Sequence, residues 1–432
     1  MSTREQSRDI ITLGCRLNSL ESEVMRDEMA KAGVNDAVIV NTCAVTAEAE
    51  RQARQTIRRI KRERPEARII VTGCAAQLDP TKFAEMDEVE RVVGNLEKLN
   101  GDTLLGAGQN EATSIVVSDI NDVRETAGHL VSGLEGRTRA FVMIQQGCDN
   151  DCTFCIIPAA RGPNRSVPMD HIVQQVHKLV DAGHLEVVLT GVDIAAYGSD
   201  TGLCDENGTG LTAVIRAIMN AVPDLARLRL SSLDPARLDD EFFALLESEP
   251  RLMAHLHLSL QSADDLVLKR MKRRHAVSDV KALALRARQA RADVVFGADL
   301  IAGFPTETDA QFETTRMNVE EMGLQYLHVF PYSPRPGTPA AKMPQVGGDV
   351  AKARAKILRE TGEANLALHL DALCNTEQTV LVEKPDFGRT ESFAPVRLDG
   401  TFTPGTLASV QLAGHKGGEL FTPLTDKNWA AE

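Results

Sequence analysis

The 432 residues carry 43% hydrophobic and 25% charged side chains, ordinary for a globular chain of two or three domains. No apolar run approaches the roughly 18 residues of a membrane span, and the polar start, residues 1–9, lacks the apolar stretch of an export signal. A formal net charge of −13 excludes a broadly basic surface, so a nucleic acid would have to be met by local patches.

In chain order, residues 9–13 read as a strand, 19–32 as a helix opened by a Ser19 cap, and 37–40 as a second strand. Residues 46–64 form a second predicted helix, closed before Pro65, and 68–72 a third strand. This βαβαβ order, repeating about every 30 residues, predicts a Rossmann-like parallel sheet over residues 8–105. Residues 100–133, rich in Gly, Asp, Asn, Ser and Thr, read as a connector.

Strands and helices alternate again from 134. Predicted strands are 140–144, 186–190, 227–231, 255–260, 294–301 and 326–330, with amphipathic helices such as 168–182, 211–221 and 278–291 between them. Six such units fit an open (βα)6 partial barrel over 134–373, with chemistry at the C-terminal strand ends. A long helix, 348–373, closes it. Short β-type runs separated by Gly and Pro then predict a small β-barrel over 374–432. The fold class is α/β.

Eight cysteines without an export signal point to metal ligation or catalysis rather than disulfides. Cys148, Cys152 and Cys155 place three thiolates within eight residues, just after the first barrel strand. Three cysteines on a 4Fe–4S cube leave one iron open, able to chelate the amino and carboxylate groups of S-adenosylmethionine (SAM). Phe154 can shield the cluster and contact an adenine ring. A zinc knuckle is the plainer alternative, but it needs a fourth ligand nearby, and this stretch offers none.

Cys15, Cys43 and Cys74 each follow a strand, 28 and 31 residues apart. In a parallel sheet all three emerge at one carboxyl edge, where ligands bind. Each alone is explained by packing; together they make a second three-cysteine site. Its open iron could bind sulfide, have it methylated, and present the methylthio group to a substrate radical. Cys204 and Cys374 match no pattern.

These residues resemble the methylthiotransferase family of radical SAM enzymes. The segments that carry the resemblance are TLGCRLNSLESE (12–23), NTC (41–43), TGC (72–74) and GCDNDCTFCIIPAARGPNRS (147–166), followed by LTGVDIAAYG (189–198) and HLHLSLQSADD (255–265). MKRRH (271–275), GADLIAGFPTET (297–308) and HVFPYSPRPGTPAAKM (328–343) complete them. Ala263 stands where the family usually has Gly, and Val167 where a basic residue is common. The resemblance implies two 4Fe–4S clusters, a radical SAM cluster on Cys148, Cys152 and Cys155 and an auxiliary one on Cys15, Cys43 and Cys74. It also implies a C-terminal RNA-binding barrel of the TRAM type.

Within the family, the branch that converts N6-threonylcarbamoyladenosine at tRNA position 37 to its 2-methylthio form fits best. The branches acting on isopentenyladenosine or on a ribosomal protein aspartate remain open, as does an iron–sulfur electron carrier or redox sensor. The implied chemistry uses one SAM as methyl donor and another as radical source, with a reductant such as flavodoxin or ferredoxin; the missing export signal and membrane span make a cytoplasmic location the expectation for the chain.

Weaker candidates for SAM binding are Gly191 and Asp193 after a strand end, Ser259 and Gln261 on a strand, and Asp299 before the Gly-Phe-Pro turn. Capping or turn formation explains each nearly as well. For RNA, Lys269, Arg270, Lys272, Arg273 and Arg274 put five cations in six residues, and residues 51–64 add seven more. A charge run is as often a solvated face. The stretch 376–432, with eight acids against five Lys and Arg, is a weak electrostatic anchor.

Overall fold

The computed structural model describes residues 10–34, 36–106, 114–123, 138–203 and 210–423; Cys204 lies outside them. They pack as two units. The first gathers the described residues before 131 with the loop 145–167 and the segment 333–341; the second gathers 138–144, the described residues of 168–332, and those from 342 onward.

In the first unit, β1 (Ile10–Thr12), α1 (Arg16–Ala32), β2 (Ala37–Thr42), α2 (Ala47–Glu63) and β3 (Arg68–Gly73) follow one another. The three strands pair in parallel and continue through Arg91–Val93 and Ser114–Val116, giving five strands in sequence order. Every residue of β2 is buried, as expected of a parallel sheet covered on both faces. Met25 and Met29 of α1 cover Ile39 and Ile70 on one face, while Ala53, Ile57 and Ile60 of α2 cover Val38, Val40 and Val71 on the other.

Two expectations are corrected here. The first helix opens at Arg16 with Cys15 at its N-cap, and Ser19 lies inside the first turn, its hydroxyl donating to Cys15 O at 3.4 Å. Gly14, at φ 112°, lets the chain turn from strand to helix at once, so no separate cap segment is needed. The supposed connector also contains structure: the helix Gly101–Leu105 and the fifth strand Ser114–Val116.

The second unit holds six parallel strands in two sheets. Arg139–Met143, Glu186–Thr190 and Arg227–Leu230 form one; His255–Gln261, Val295–Ala302 and Tyr326–Pro331 form the other. Single parallel bridges, Leu228 to Leu252 and Leu233 to Leu258, join them, so the strands succeed one another as in an open barrel. After the helix Gly348–Leu373 comes a six-stranded, mostly antiparallel sheet around Val380, Val396, Val410 and Leu420.

This last sheet docks at the N-terminal ends of the barrel strands. Buried Arg227 donates to Thr379 O at 2.7 Å, and Arg229 to Thr390 O at 3.0 Å and Glu391 O at 2.8 Å. Glu186 pairs with Arg229 at 2.8 Å and Glu391 lies 3.7 Å from Arg227, so each guanidinium has a carboxylate beside it. The C-terminal strand ends, with Gly191 and Gln261, are thereby left at the opposite end. Among the described residues no helix is long and apolar enough to cross a membrane.

Candidate metal centre

The in-register pairing of β1, β2 and β3, Thr12 with Asn41 and Thr42 with Gly73, brings their carboxyl ends to one edge. Cys15 caps α1 there, Cys43 follows β2 directly, and Cys74 opens the helix Cys74–Leu78. A Cβ on Gly14 would lie 2.8 Å from Cys43 Cβ and 3.1 Å from its Sγ, so the β1–α1 turn presses against Cys43 and only glycine fits. Cys15 is exposed, Cys43 half-buried and Cys74 buried.

Burial pushes the Cys43 thiol up to about 11, and the neighbouring Cys74 and Cys15 push in the same direction. Thiols this close ionise together only beside cations. Three stand there. Burial pushes Lys98 and Arg335 down, opposed in part by Cys74 for Lys98 and by Cys43 for Arg335, whereas Arg161, against its burial, is held well above its ordinary value by Cys74 and Glu21. Arg335 is fixed by an ion pair with Glu50.

The second trio lies in a tightly held loop of the same unit. Gly147 sits at φ 69°, where a Cβ would come 1.8 Å from Pro163 O, and Cys148 N donates to Gly162 O at 3.0 Å. Gln145 Nε2 donates to Gly147 O at 2.7 Å, Asn164 N donates to Asp149 Oδ1 at 2.9 Å, and Cys155 N donates to Cys152 O at 3.1 Å. The three cysteines and Phe154 are all half-buried.

Each set offers three thiols, the soft donors an iron–sulfur cluster takes, and at the β1–β3 edge Arg161 Nε, 3.3 Å from Cys74 Sγ, adds a cation suited to an anionic cofactor. His257, Asp299 and His328, whose ligand atoms all lie within 4.8 Å of one another, form a separate group of possible ligands.

The remaining sequence candidates lie in the second unit. Gln261 ends its strand at φ 70°, after a register shift from Leu258, so a bulge re-aims its side chain. Ser259, half-buried, gives its backbone N–H to Leu233 O at 2.8 Å. Gly191 is half-buried at its strand end and Asp193 is buried. Asp299 receives His257 Nε2 at 3.1 Å and His328 Nδ1 at 3.2 Å; burial pushes its carboxyl up, but these two contacts outweigh it and hold the group well below the usual range. The two histidines sit on the strands flanking Asp299 and were not among the sequence candidates.

The basic run divides. Arg273 is turned inward, its side chain 7% exposed, donating to Ser259 O at 2.7 Å and pairing with buried Asp234. Arg270 bonds Thr306 O at 3.2 Å and Gln311 Oε1 at 3.1 Å, and Arg274 pairs with Asp234 at 3.0 Å. Lys269 and Lys272 point outward with Arg274. The side chain of Arg273 is therefore spent on the fold. Cys374 caps the long helix, its thiol on Leu370 O at 3.3 Å.

Sequence reasoning also missed Glu21, Lys98, Asn95 and Arg161. Asn18 and Glu21, at i and i+3 on the same α1 face as Leu17, Val24 and Met25, were the available signal: polar groups on a buried stripe need buried partners.

Comparison with known proteins fits this geometry. The radical SAM superfamily model matches residues 142–317, and that of the uncharacterized protein family UPF0004 matches residues 8–94. A solved radical SAM methyltransferase, TsrM from Kitasatospora setae, superposes with a TM-score of 0.56 at 16% identity, covering 75% of this chain and 73% of that one. Fold and site thus define a radical SAM enzyme. The threonylcarbamoyladenosine tRNA methylthiotransferase MtaB of Rickettsia prowazekii is 48% identical over 96% of both chains. A tRNA-2-methylthio-N(6)-dimethylallyladenosine synthase of Sorangium cellulosum is 35% identical over 87% of this chain and 82% of that one. The chain belongs to the MtaB-type methylthiotransferase family of radical SAM enzymes.

Proposed function

We propose that this chain adds a methylthio group to C2 of N6-threonylcarbamoyladenosine at position 37 of tRNA. The observation that carries the reading is the pair of three-thiol sets on one packed unit, in a chain 48% identical to a relative named for that activity. In this reading Cys148, Cys152 and Cys155 hold one 4Fe–4S cluster and Cys15, Cys43 and Cys74 another. When bound, the first supplies the electron that cleaves SAM and the second a site for the incoming sulfur.

The protein's part is to position and to exclude water. Gln261 on its bulge orients SAM from the barrel, with Gly191, Asp193 and Ser259 at neighbouring strand ends, and Phe154 shields the cysteine loop. Asp299, engaged by two histidines, stiffens the strands beneath. For tRNA, the outward cations Lys269, Lys272 and Arg274 are one candidate contact, and Arg58, Arg59 and Arg62 on the exposed face of α2 are another. The C-terminal sheet, read as a TRAM-type barrel, adds shape recognition. A cytoplasmic setting and a reductant such as flavodoxin or ferredoxin belong to the same reading.

The test is mass spectrometry of tRNA nucleosides from a strain lacking its own threonylcarbamoyladenosine methylthiotransferase and expressing this chain. Restored 2-methylthio-threonylcarbamoyladenosine is the expected result. Gain of 2-methylthio-isopentenyladenosine alone would move the chain to the other tRNA substrate. Failure to form 5′-deoxyadenosine from SAM and reductant would leave only an iron–sulfur carrier.

A further inference from the structure

We propose that Arg161 is a positioning residue that sets the charge balance and reduction potential of the Cys15, Cys43 and Cys74 centre, through a direct N–H···S contact to Cys74. The proposal rests on the reading of these thiols as cluster ligands.

Arg161 ends the short helix Ile157–Arg161, six residues beyond Cys155, and its side chain is 3% exposed. All five of its N–H groups have acceptors. Nε donates to Cys74 Sγ at 3.3 Å; one terminal nitrogen donates to Glu21 Oε1 and Gln146 Oε1, both at 2.9 Å; the other donates to Asn18 Oδ1 at 2.7 Å and Glu21 Oε2 at 3.1 Å. A planar guanidinium forked onto a carboxylate is fixed in direction, and here the remaining edge is fixed on sulfur.

Charge counting then points outward from the network. Lys98, fully buried, reaches Glu21 Oε2 at 2.6 Å and Asn95 Oδ1 at 2.7 Å, while Asn95 Nδ2 lies 3.8 Å from the same Cys74 sulfur. Two cations thus share one carboxylate. A buried excess of positive charge is costly unless an anion completes it. The thiol edge, where Arg161 Nε meets Cys74 Sγ at 3.3 Å and Asn95 Nδ2 approaches it at 3.8 Å, is where that anion belongs. A purely structural salt bridge would be neutral in itself. This one is completed by the metal centre.

A cluster gains negative charge on reduction, so a fixed cation and an N–H···S bond stabilise the reduced form and raise its potential. The experiment is a potentiometric titration followed by electron paramagnetic resonance. It uses the anaerobically reconstituted chain carrying Cys148→Ala, Cys152→Ala and Cys155→Ala, so that only the auxiliary centre reports. With Arg161→Gln, bound iron is retained and the potential falls, the reduced fraction at the parent midpoint dropping about tenfold in its ratio to oxidised, or ~59 mV. Arg161→Lys, which keeps the charge but loses the fork and the sulfur contact, falls less. Lys98→Met, which removes only the more distant cation, also falls less and guards against a folding defect in the arginine variants. Full iron with an unmoved potential in all three variants would overturn the proposal alone. A parent without any reducible iron would overturn the two-centre reading beneath it.

Discussion

At the residue scale, Glu21 is the hinge of the account. Burial by itself would push its carboxyl up, but Arg161 and Lys98 outweigh it and hold the group down at about 2, against an ordinary 4.5. Glu21→Gln leaves two buried cations without their carboxylate and should cost about 3–5 kcal/mol in denaturant unfolding, the usual penalty for breaking a buried ion pair. The sign of the pH effect follows from the depressed value. The stabilisation from Glu21 is present above about pH 4.5 and is lost as pH falls toward 2, so the Gln variant should show a flatter stability profile across that window. An equally steep profile in the variant would remove Glu21 from the network's centre. The buried stripe of α1 marks Glu21 as needing partners but does not name them. Cysteine spacing shows where thiols gather, but Arg161 and Lys98 meet Glu21 from 140 and 77 residues away.

At the element scale, the glycines before cysteines do mechanical work. Gly147→Ala would place a methyl 1.8 Å from Pro163 O on a left-handed backbone, so the cysteine loop must reopen. Expected is loss of the iron held by Cys148, Cys152 and Cys155, with the β1–β3 edge intact; unchanged SAM cleavage would contradict it. The elements legible in sequence were those with strong periodicity. The long helix Gly348–Leu373 and the strand Glu186–Thr190 have the expected bounds, and the other barrel strands differ by about a residue at either end. What escaped was weakly periodic. Ser114–Val116 is three residues long and joins an edge already formed, so its own pattern carried little signal. The start of α1 escaped for the opposite reason: a serine that looks like a cap was overruled by a glycine turn two residues before the helix.

At the scale of the whole molecule, packing and motif order divide the chain differently. The cysteine loop 145–167 and the segment 333–341 follow barrel strands in sequence, yet they pack with the N-terminal sheet, which is why both trios share one unit. Sequence order alone gives no warning of this, because the contacts that decide it are between residues far apart in the chain. The acidic total likewise hides a basic face: replacing Arg58, Arg59 and Arg62 on the exposed side of α2 with Glu should weaken tRNA binding at least tenfold and reduce its salt dependence while leaving iron content unchanged. Undiminished binding would place the RNA elsewhere. The most direct test of the two-centre account is iron and sulfide analysis of three anaerobically reconstituted proteins. The parent should bind about eight irons, and either trio replaced by alanine should leave about four. A chain that keeps its full iron after Cys15, Cys43 and Cys74 are removed would contradict it.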